Sequence, residues 1–381
     1  MKRSGGGRVK PRSDPSSERQ PAAPSVNGLL GRGPVHGFVL VALVLAVVGL
    51  AMPGRFRLLC QEDGPIEWAT FYLFIVSTVL SASGALARGS SPVDRFAFSL
   101  LALFTVFVAG EEISWGQRLF TYQPPKVFLE QNFQQESNLH NLLKGVFDSR
   151  WQVLLIAVGY GVLTPLAARR IRSLRKLSPA ASLIPLALIV ALIELAYPTE
   201  LVGECAELLL GLYFLADLLI RRSRDLNEKA TKFWSISALI GVCGFLTPPF
   251  LDRFVYAVDP TRHATAVAEL EELASQLSDG GAQRALFSKR RVHKRVYTAT
   301  KRGYCKFKPV DGADERSRFL LDPWNQPYWI VTYTEAGGGL TVFLYSFGPN
   351  RRRDSTLEKA DLRGESPFKG DDLAISVHLD R

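Results

Sequence analysis

The sequence predicts a membrane all-α domain of about seven transmembrane helices, followed by a soluble α+β domain. Three observations carry this expectation: apolar residues segregate to positions 37–251, basic residues segregate to alternate loops, and past Asp252 the chain turns polar and alternates as strands do. Its 47% hydrophobic and 22% charged residues would suit an ordinary soluble protein, so the segregation, not the average, decides.

Residues 1–35 are rich in Gly, Ser, Pro, Lys and Arg and nearly free of aliphatic side chains. Such a stretch buries too little apolar surface to offset chain entropy, and a disordered basic tail is expected. A spanning helix needs about 20 mostly apolar residues. The runs that qualify are 37–53, 66–87, 96–114, 151–168, 181–198, 200–220 and 233–251, giving a membrane domain over 36–251. The first follows a basic leader, as a secretory signal would, but no small-x-small cleavage site leads into a soluble domain, so it reads as an anchor. The fifth and sixth are separated only by Pro198 and Thr199, which predicts a tight helical hairpin.

Orientation follows from the Lys/Arg bias of short loops. The tail carries Lys2, Arg3, Arg8, Lys10, Arg12, Arg19 and Arg32. Arg169, Arg170, Arg172, Arg175 and Lys176 follow the fourth run, and Arg221, Arg222, Arg224, Lys229 and Lys232 follow the sixth. Placing these segments in the cytoplasm of a bacterial-type inner membrane puts residues 252–381 in the periplasm. Much of the net charge of +10 is then an orientation and lipid-headgroup signal, which argues against a nucleic-acid partner and makes the bilayer the first partner. Cys60, Cys205, Cys243 and Cys305 show neither metal spacing nor a disulfide framework, although Cys60 and Cys205 both fall near the outer face.

The stretch GEEISWGQ, Gly110 to Gln117, places Glu111 and Glu112 at the outer end of the third run. Glu67 opens the second run at the same level, Glu194 lies near the outer end of the fifth, and Glu200, Glu204 and Glu207 open the sixth at helical spacing. The loop before the fourth run adds Gln135-Glu136-Ser137-Asn138-Leu139-His140-Asn141. Ionisable groups inside spans are costly and ordinarily face a bundle interior or a watery cavity. Three readings follow. Glu111 or Glu112 with His140 and Glu204 would hold Zn²⁺ or a similar divalent metal and polarise a water for hydrolytic or transfer chemistry on a lipid or peptide, with Glu194 a further candidate catalytic residue. The same acids would carry protons or cations in a transporter. Alternatively they are polar packing, with acids at helix N-termini favoured by the dipole and Arg118 or Lys144 pairing with them.

In the soluble half, Thr261 to Leu277 places Ala264, Val267, Ala268, Leu270, Ala274 and Leu277 mainly on one helical face, and Gly280-Gly281 stops the helix. Tyr328 to Tyr333 and Leu340 to Ser346 flank a Gly-rich turn and predict an antiparallel hairpin, with a late strand at Ala374 to Val377. Before the hairpin stands Asp322-Pro323-Trp324-Asn325-Gln326-Pro327-Tyr328, in which Asp322 accepts turn N–H groups, the prolines forbid helix and Trp324 anchors the turn.

This stretch, with Tyr345-Ser346-Phe347-Gly348-Pro349-Asn350 and Gly370-Asp371-Asp372-Leu373 after it, resembles the C-terminal domain of the type II secretion major pseudopilin, protein G. The resemblance covers roughly residues 255–377 and implies a helix packed on an antiparallel sheet. It implies a Ca²⁺ site in the late acidic loop, carried over onto Asn350, Asp371 and Asp372, with Asn350 standing where the family has Asp. It also implies secretion or pilus assembly components as partners. Family members are cut before a Phe that starts a helix with Glu five residues in; here Gly37-Phe38 is followed by Ala42 at that position, so a pilus-subunit role is not expected. The function expected is that of a polytopic docking, assembly or envelope factor, and the alternative is a metal-dependent intramembrane hydrolase or transferase.

Overall fold

The computed structural model describes residues 33–132, 134–143, 149–196, 200–222, 226–256, 259–278, 286, 292–310, 315–335, 338–355 and 368–379. The basic tail up to Arg32, Lys144, the 197–199 connection and Gly280-Gly281 lie outside them. Seven principal helices build the first half: α1 (Gly33–Ala51), α2 (Pro65–Ala85), α3 (Pro92–Glu112), α4 (Ser149–Leu154 continued through Leu155–Leu163 and Thr164–Ala168), α5 (Ile184–Ala196), α6 (Glu200–Arg222) and α7 (Leu226–Phe254).

Helices α2 and α3 each start on a proline, whose missing N–H costs nothing in a first turn. Ser91 caps α3 in a reciprocal capping box with Asp94, and Lys176 ties that end down from 3.0 Å. Helix α4 is irregular in the middle, where Leu155–Leu163 winds as a π-helix. The α2–α7 crossing is tight: a Cβ at Gly244 would press on the Pro65 carbonyl.

Among the described residues, five helices are long and apolar enough to cross a membrane, Pro34–Ala51, Pro65–Ala85, Pro92–Glu112, Arg150–Ala168 and Glu228–Phe254. Leu43, Leu50, Leu103, Leu239 and Leu246 point outward from them, as lipid-facing side chains do. The chain is a multi-pass membrane protein. The remaining two expected spans differ from the other five. The fifth amounts to a shorter apolar helix, Ala181–Ala196, and the sixth, α6, is 23 residues long but carries Glu204, Glu207 and Asp217. The reason is placement: every side chain from Leu208 to Leu219 is buried, and α6 packs against α1, α2, α4, α5 and α7. A helix enclosed by protein need not be apolar all round.

The second half begins with α8 (Pro260–Ser278) and a four-stranded antiparallel meander of β1 (His293–Arg295), β2 (Trp329–Thr334), β3 (Leu340–Ser346) and β4 (Leu373–Leu379). The expected hairpin pairs Ile330 with Leu344 and Thr332 with Val342, and the late strand pairs Val377 with Val342. One sheet face, with Ile330, Val342, Leu344 and Val377, packs with Leu270, Leu273 and Leu277 of α8. The other collects Val331, Phe343 and Tyr345 with Trp329, Phe347 and Phe368. The turn before β2 forms as its composition dictates. Asp322 accepts from the N–H groups of Trp324 (2.9 Å) and Gln326 (2.8 Å) and from Ser346 Oγ at 2.5 Å, while Trp324 is buried.

Candidate functional site

Helix α3 ends where its carboxylates diverge. Beyond Glu112 the backbone turns left-handed at three successive residues, Ser114 (φ 46°), Trp115 (φ 53°) and Gly116 (φ 90°), and only the last is free of a Cβ penalty. Each non-glycine residue in that region costs about 1–2 kcal/mol, so surrounding bonds must hold the turn. Trp115 folds back and donates from Nε1 to Glu111 Oε1 at 2.6 Å. The other oxygen of Glu111 accepts the N–H groups of Leu139 and His140, both at 2.7 Å, and so caps the short helix Leu139–Leu143.

The two polar stretches around this point interlock. Ser114 Oγ donates to Glu136 Oε2 at 3.1 Å, and Ser137 N donates to Gln117 Oε1 at 2.8 Å. Asn132 Nδ2 donates to the Asn138 carbonyl at 3.0 Å, and Asn138 Oδ1 receives Asn141 N at 3.1 Å. Residues 111–118 and 132–141 are therefore two halves of one buried polar layer at the end of the bundle.

Arg118 is its centre. The buried guanidinium meets Asp63 through Nη1, and Glu136 (3.2 Å) and Glu67 (3.4 Å) through Nη2. Burial works against its charge, but the fields of Asp63, Glu136 and Glu67 outweigh burial and hold the guanidinium well above its ordinary range. Glu67 also accepts the Asp63 N–H, which closes the turn between Cys60 and α2.

Glu112 faces the other way, into the bundle, where it meets Glu204 and Glu207 of α6. One oxygen from each of these three carboxylates lies within 4.8 Å of the others. Glu67, Glu111 and Arg118 act on Glu112 electrostatically, so the carboxylate trio and the Arg118 network are one electrostatic unit. Asp63, Glu67, Glu111, Glu112, Glu136, Glu204 and Glu207 thus share the layer with Arg118 and His140 among the described residues.

The expected site residues therefore divide. Glu112 and Glu204 come together, joined by Glu207; Glu111 and His140 come together separately, with His140 Nδ1 at 3.5 Å from Glu111 Oε2. Glu194 is buried on α5, and the side chain of Glu200 lies outside the described residues. Asp63, a partner of Arg118, carried no signal beyond its polarity, and Glu136 stood out only as part of the 135–141 stretch, because only the fold brings residues 63, 118 and 136 to one point.

The C-terminal helix-and-sheet half is seated on this layer. Arg351, buried and left-handed at φ 64°, donates from Nη1 to the Gln117 carbonyl at 2.7 Å. Asn325 Nδ2 donates to the Thr121 carbonyl at 2.9 Å, Gln135 Nε2 donates to the Phe319 carbonyl at 3.2 Å, and Tyr256 OH donates to the Arg118 carbonyl. Arg352 pairs with Asp252 at the end of α7.

The late acidic loop gathers Asn350, Asp371 and Asp372 with Asp354, a residue absent from the carried-over set. Asn350 donates to Asp371 Oδ2 from its backbone N at 2.9 Å and to Asp354 Oδ2 from Nδ2 at 3.2 Å. Asp371 Oδ1 and Asp372 Oδ1 are buried without a hydrogen-bond partner among the described residues. Burial, reinforced by Asp354, pushes the Asp371 carboxyl up to about 7, and burial pushes Asp372 up to about 6. Arg351 and Arg352 point away from these acids, towards the membrane half. Gly348 (φ 70°) lets the chain pass against the Asp371 carbonyl, where a Cβ would collide.

No protein-family model matches the chain, and neither a curated protein nor a solved structure shows significant similarity to it.

Proposed function

We propose that this protein is a seven-span bacterial inner-membrane docking or assembly factor, with a pseudopilin-like domain seated on the periplasmic end of the bundle. The supporting observation is the seam itself: Arg351 and Asn325 join the soluble domain to Gln117 and Thr121 after α3, and Gln135 joins Phe319 to the loop before α4, by three hydrogen bonds of 2.7–3.2 Å. A domain fixed in this way suits a platform that presents its sheet to an envelope component, and it does not suit a subunit released into a filament. In this reading α5 and α6 complete the seven spans, and the Arg-rich loops after α4 and α6 are cytoplasmic. Reporter fusions after Arg170 and after Asp252 should read cytoplasmic and periplasmic, and the reverse pattern rejects the layout. Photo-crosslinkers at the exposed positions Thr334 and His378 should capture type II secretion or pilus components; crosslinks to lipid or to the chain itself alone reject the partner.

The carboxylate trio favours a second reading, a metal-dependent membrane hydrolase or transferase. An all-oxygen set of Glu112, Glu204 and Glu207 suits a hard divalent cation better than Zn²⁺, because His140 is engaged with Glu111 instead. Such an ion supplies Lewis acidity and a more acidic bound water. Glu112, Glu204 and Glu207 would hold it at the end of α6, and the seated domain would restrict access of bulk water. Metal analysis of the purified protein should find about one divalent ion per chain, lost in Glu204→Gln and Glu207→Gln and kept in His140→Ala. Metal-free wild-type protein with all carboxylates intact rejects this reading.

In the soluble domain, Asp371 and Asp372 fit Ca²⁺ by buried oxygens that find no partner among the described residues, with the Asp354 carboxylate and the Asn350 amide as further oxygen donors.

A further inference from the structure

Four cysteines occur in this chain, and two of them meet although 145 residues separate them. Cys60 closes the short helix Pro53–Leu59, its N–H donating to the Phe56 carbonyl, and it leads into the turn that carries Asp63. Cys205 sits on α6 directly after Glu204. Their sulfurs lie 3.5 Å apart, and both side chains are almost fully enclosed, at 2% and 4% exposure. A disulfide bond is about 2.05 Å long, so rotation about the two side-chain bonds has to close only about 1.5 Å.

We propose that Cys60 and Cys205 are joined by a disulfide in the mature protein, stapling the Asp63 turn to the acid-bearing end of α6. This rests on the orientation proposed above, which puts that end in an oxidising compartment, where disulfides form and persist. The oxidant is a protein disulfide of the thiol-oxidoreductase class. One cysteine attacks it as thiolate and displaces a donor thiolate; the second then attacks the mixed disulfide and displaces the other. One S–S bond forms as one breaks, two protons leave the pair, and two electrons reduce the donor to its dithiol. Because the folded pair is enclosed, the exchange takes place before α6 closes over the turn.

The test uses the full-length protein, with cells quenched by an alkylating agent and the extract denatured. Two cysteines, Cys243 and Cys305, should be alkylated before reduction and all four after it, with a Cys60–Cys205 linked peptide in the unreduced digest. Cys60→Ser should leave Cys205 alkylated without reduction, and Cys205→Ser should do the same for Cys60. Alkylation of all four in unreduced wild-type protein overturns the proposal, whether or not the variants accumulate. The reporter fusions then show whether the orientation has fallen with it: a periplasmic signal after Asp252 beside four free thiols removes the disulfide alone.

Discussion

Arg351 of the C-terminal helix-and-sheet half donates to the carbonyl of Gln117 at 2.7 Å, 234 residues back along the chain. That bond binds the acidic loop after β3 to the turn after α3, and it lies in a seam with Tyr256, Asn325 and Asp252. Replacing Arg351 with Met keeps the apolar stem and removes the charged donor to the Gln117 carbonyl, which keeps only the Thr121 N–H at 2.9 Å. The cost expected is about 1–3 kcal/mol. It should appear as a lowered unfolding midpoint of the full-length protein in detergent, with faster proteolysis between Phe254 and Pro260. An unchanged midpoint and cleavage rate would mean that the seam is not held by this contact.

Arg118→Met should be more damaging. It strands Asp63 and Glu136 as buried charges, a loss on the order of 3–5 kcal/mol. Adding Asp63→Asn should recover part of that loss, because the stranded charge is removed with it. A double variant as unstable as the single one, read by the same thermal midpoint, would show that Asp63 and Arg118 do not interact.

Glu111→Gln separates a cap from a catalyst. Glu111 accepts from Trp115 Nε1, Leu139 N and His140 N, and an amide has only one oxygen to offer them. Stability should fall by about 1–3 kcal/mol, with metal content unchanged, since the carboxylate trio does not include this residue. Loss of metal with normal stability would instead assign Glu111 to the metal.

The C-terminal helix-and-sheet half should respond to pH through its buried acids. Unfolded aspartates titrate near about 3.9, whereas burial holds Asp322 and Asp372 protonated up to about 6 and Asp371 up to about 7. Between these limits the folded chain binds more protons than the unfolded one. The contribution of these groups to stability is therefore complete below about pH 4 and lost as pH rises to about 7. Calcium, which binds the ionised carboxylates, should act in the opposite sense, so the midpoint gain from millimolar Ca²⁺ should be larger near pH 8 than near pH 5.5. No gain at either pH would remove the calcium site.

Much of the architecture was legible from local pattern. Apolar runs place α1 to α4 and α7, and alternation with a Gly-rich turn places β2 and β3. The Asp322 turn forms from its own residues because an aspartate, two prolines and a Trp act over seven positions. Hydropathy says less about α5 and α6, since it measures affinity for lipid and α6 faces protein along most of its length.

The sequence by itself determined that this is a multi-pass membrane protein with a helix-and-sheet domain after the bundle, because those features depend on neighbours along the chain. Only the tertiary structure decided what the acids do. Glu111 and Glu112 are adjacent in sequence, yet successive side chains on a helix point about 100° apart. One therefore caps Leu139 and His140 while the other joins Glu204 and Glu207. Likewise Arg118 finds Asp63 and Glu136, and Cys60 finds Cys205, through contacts between distant segments that no local pattern encodes.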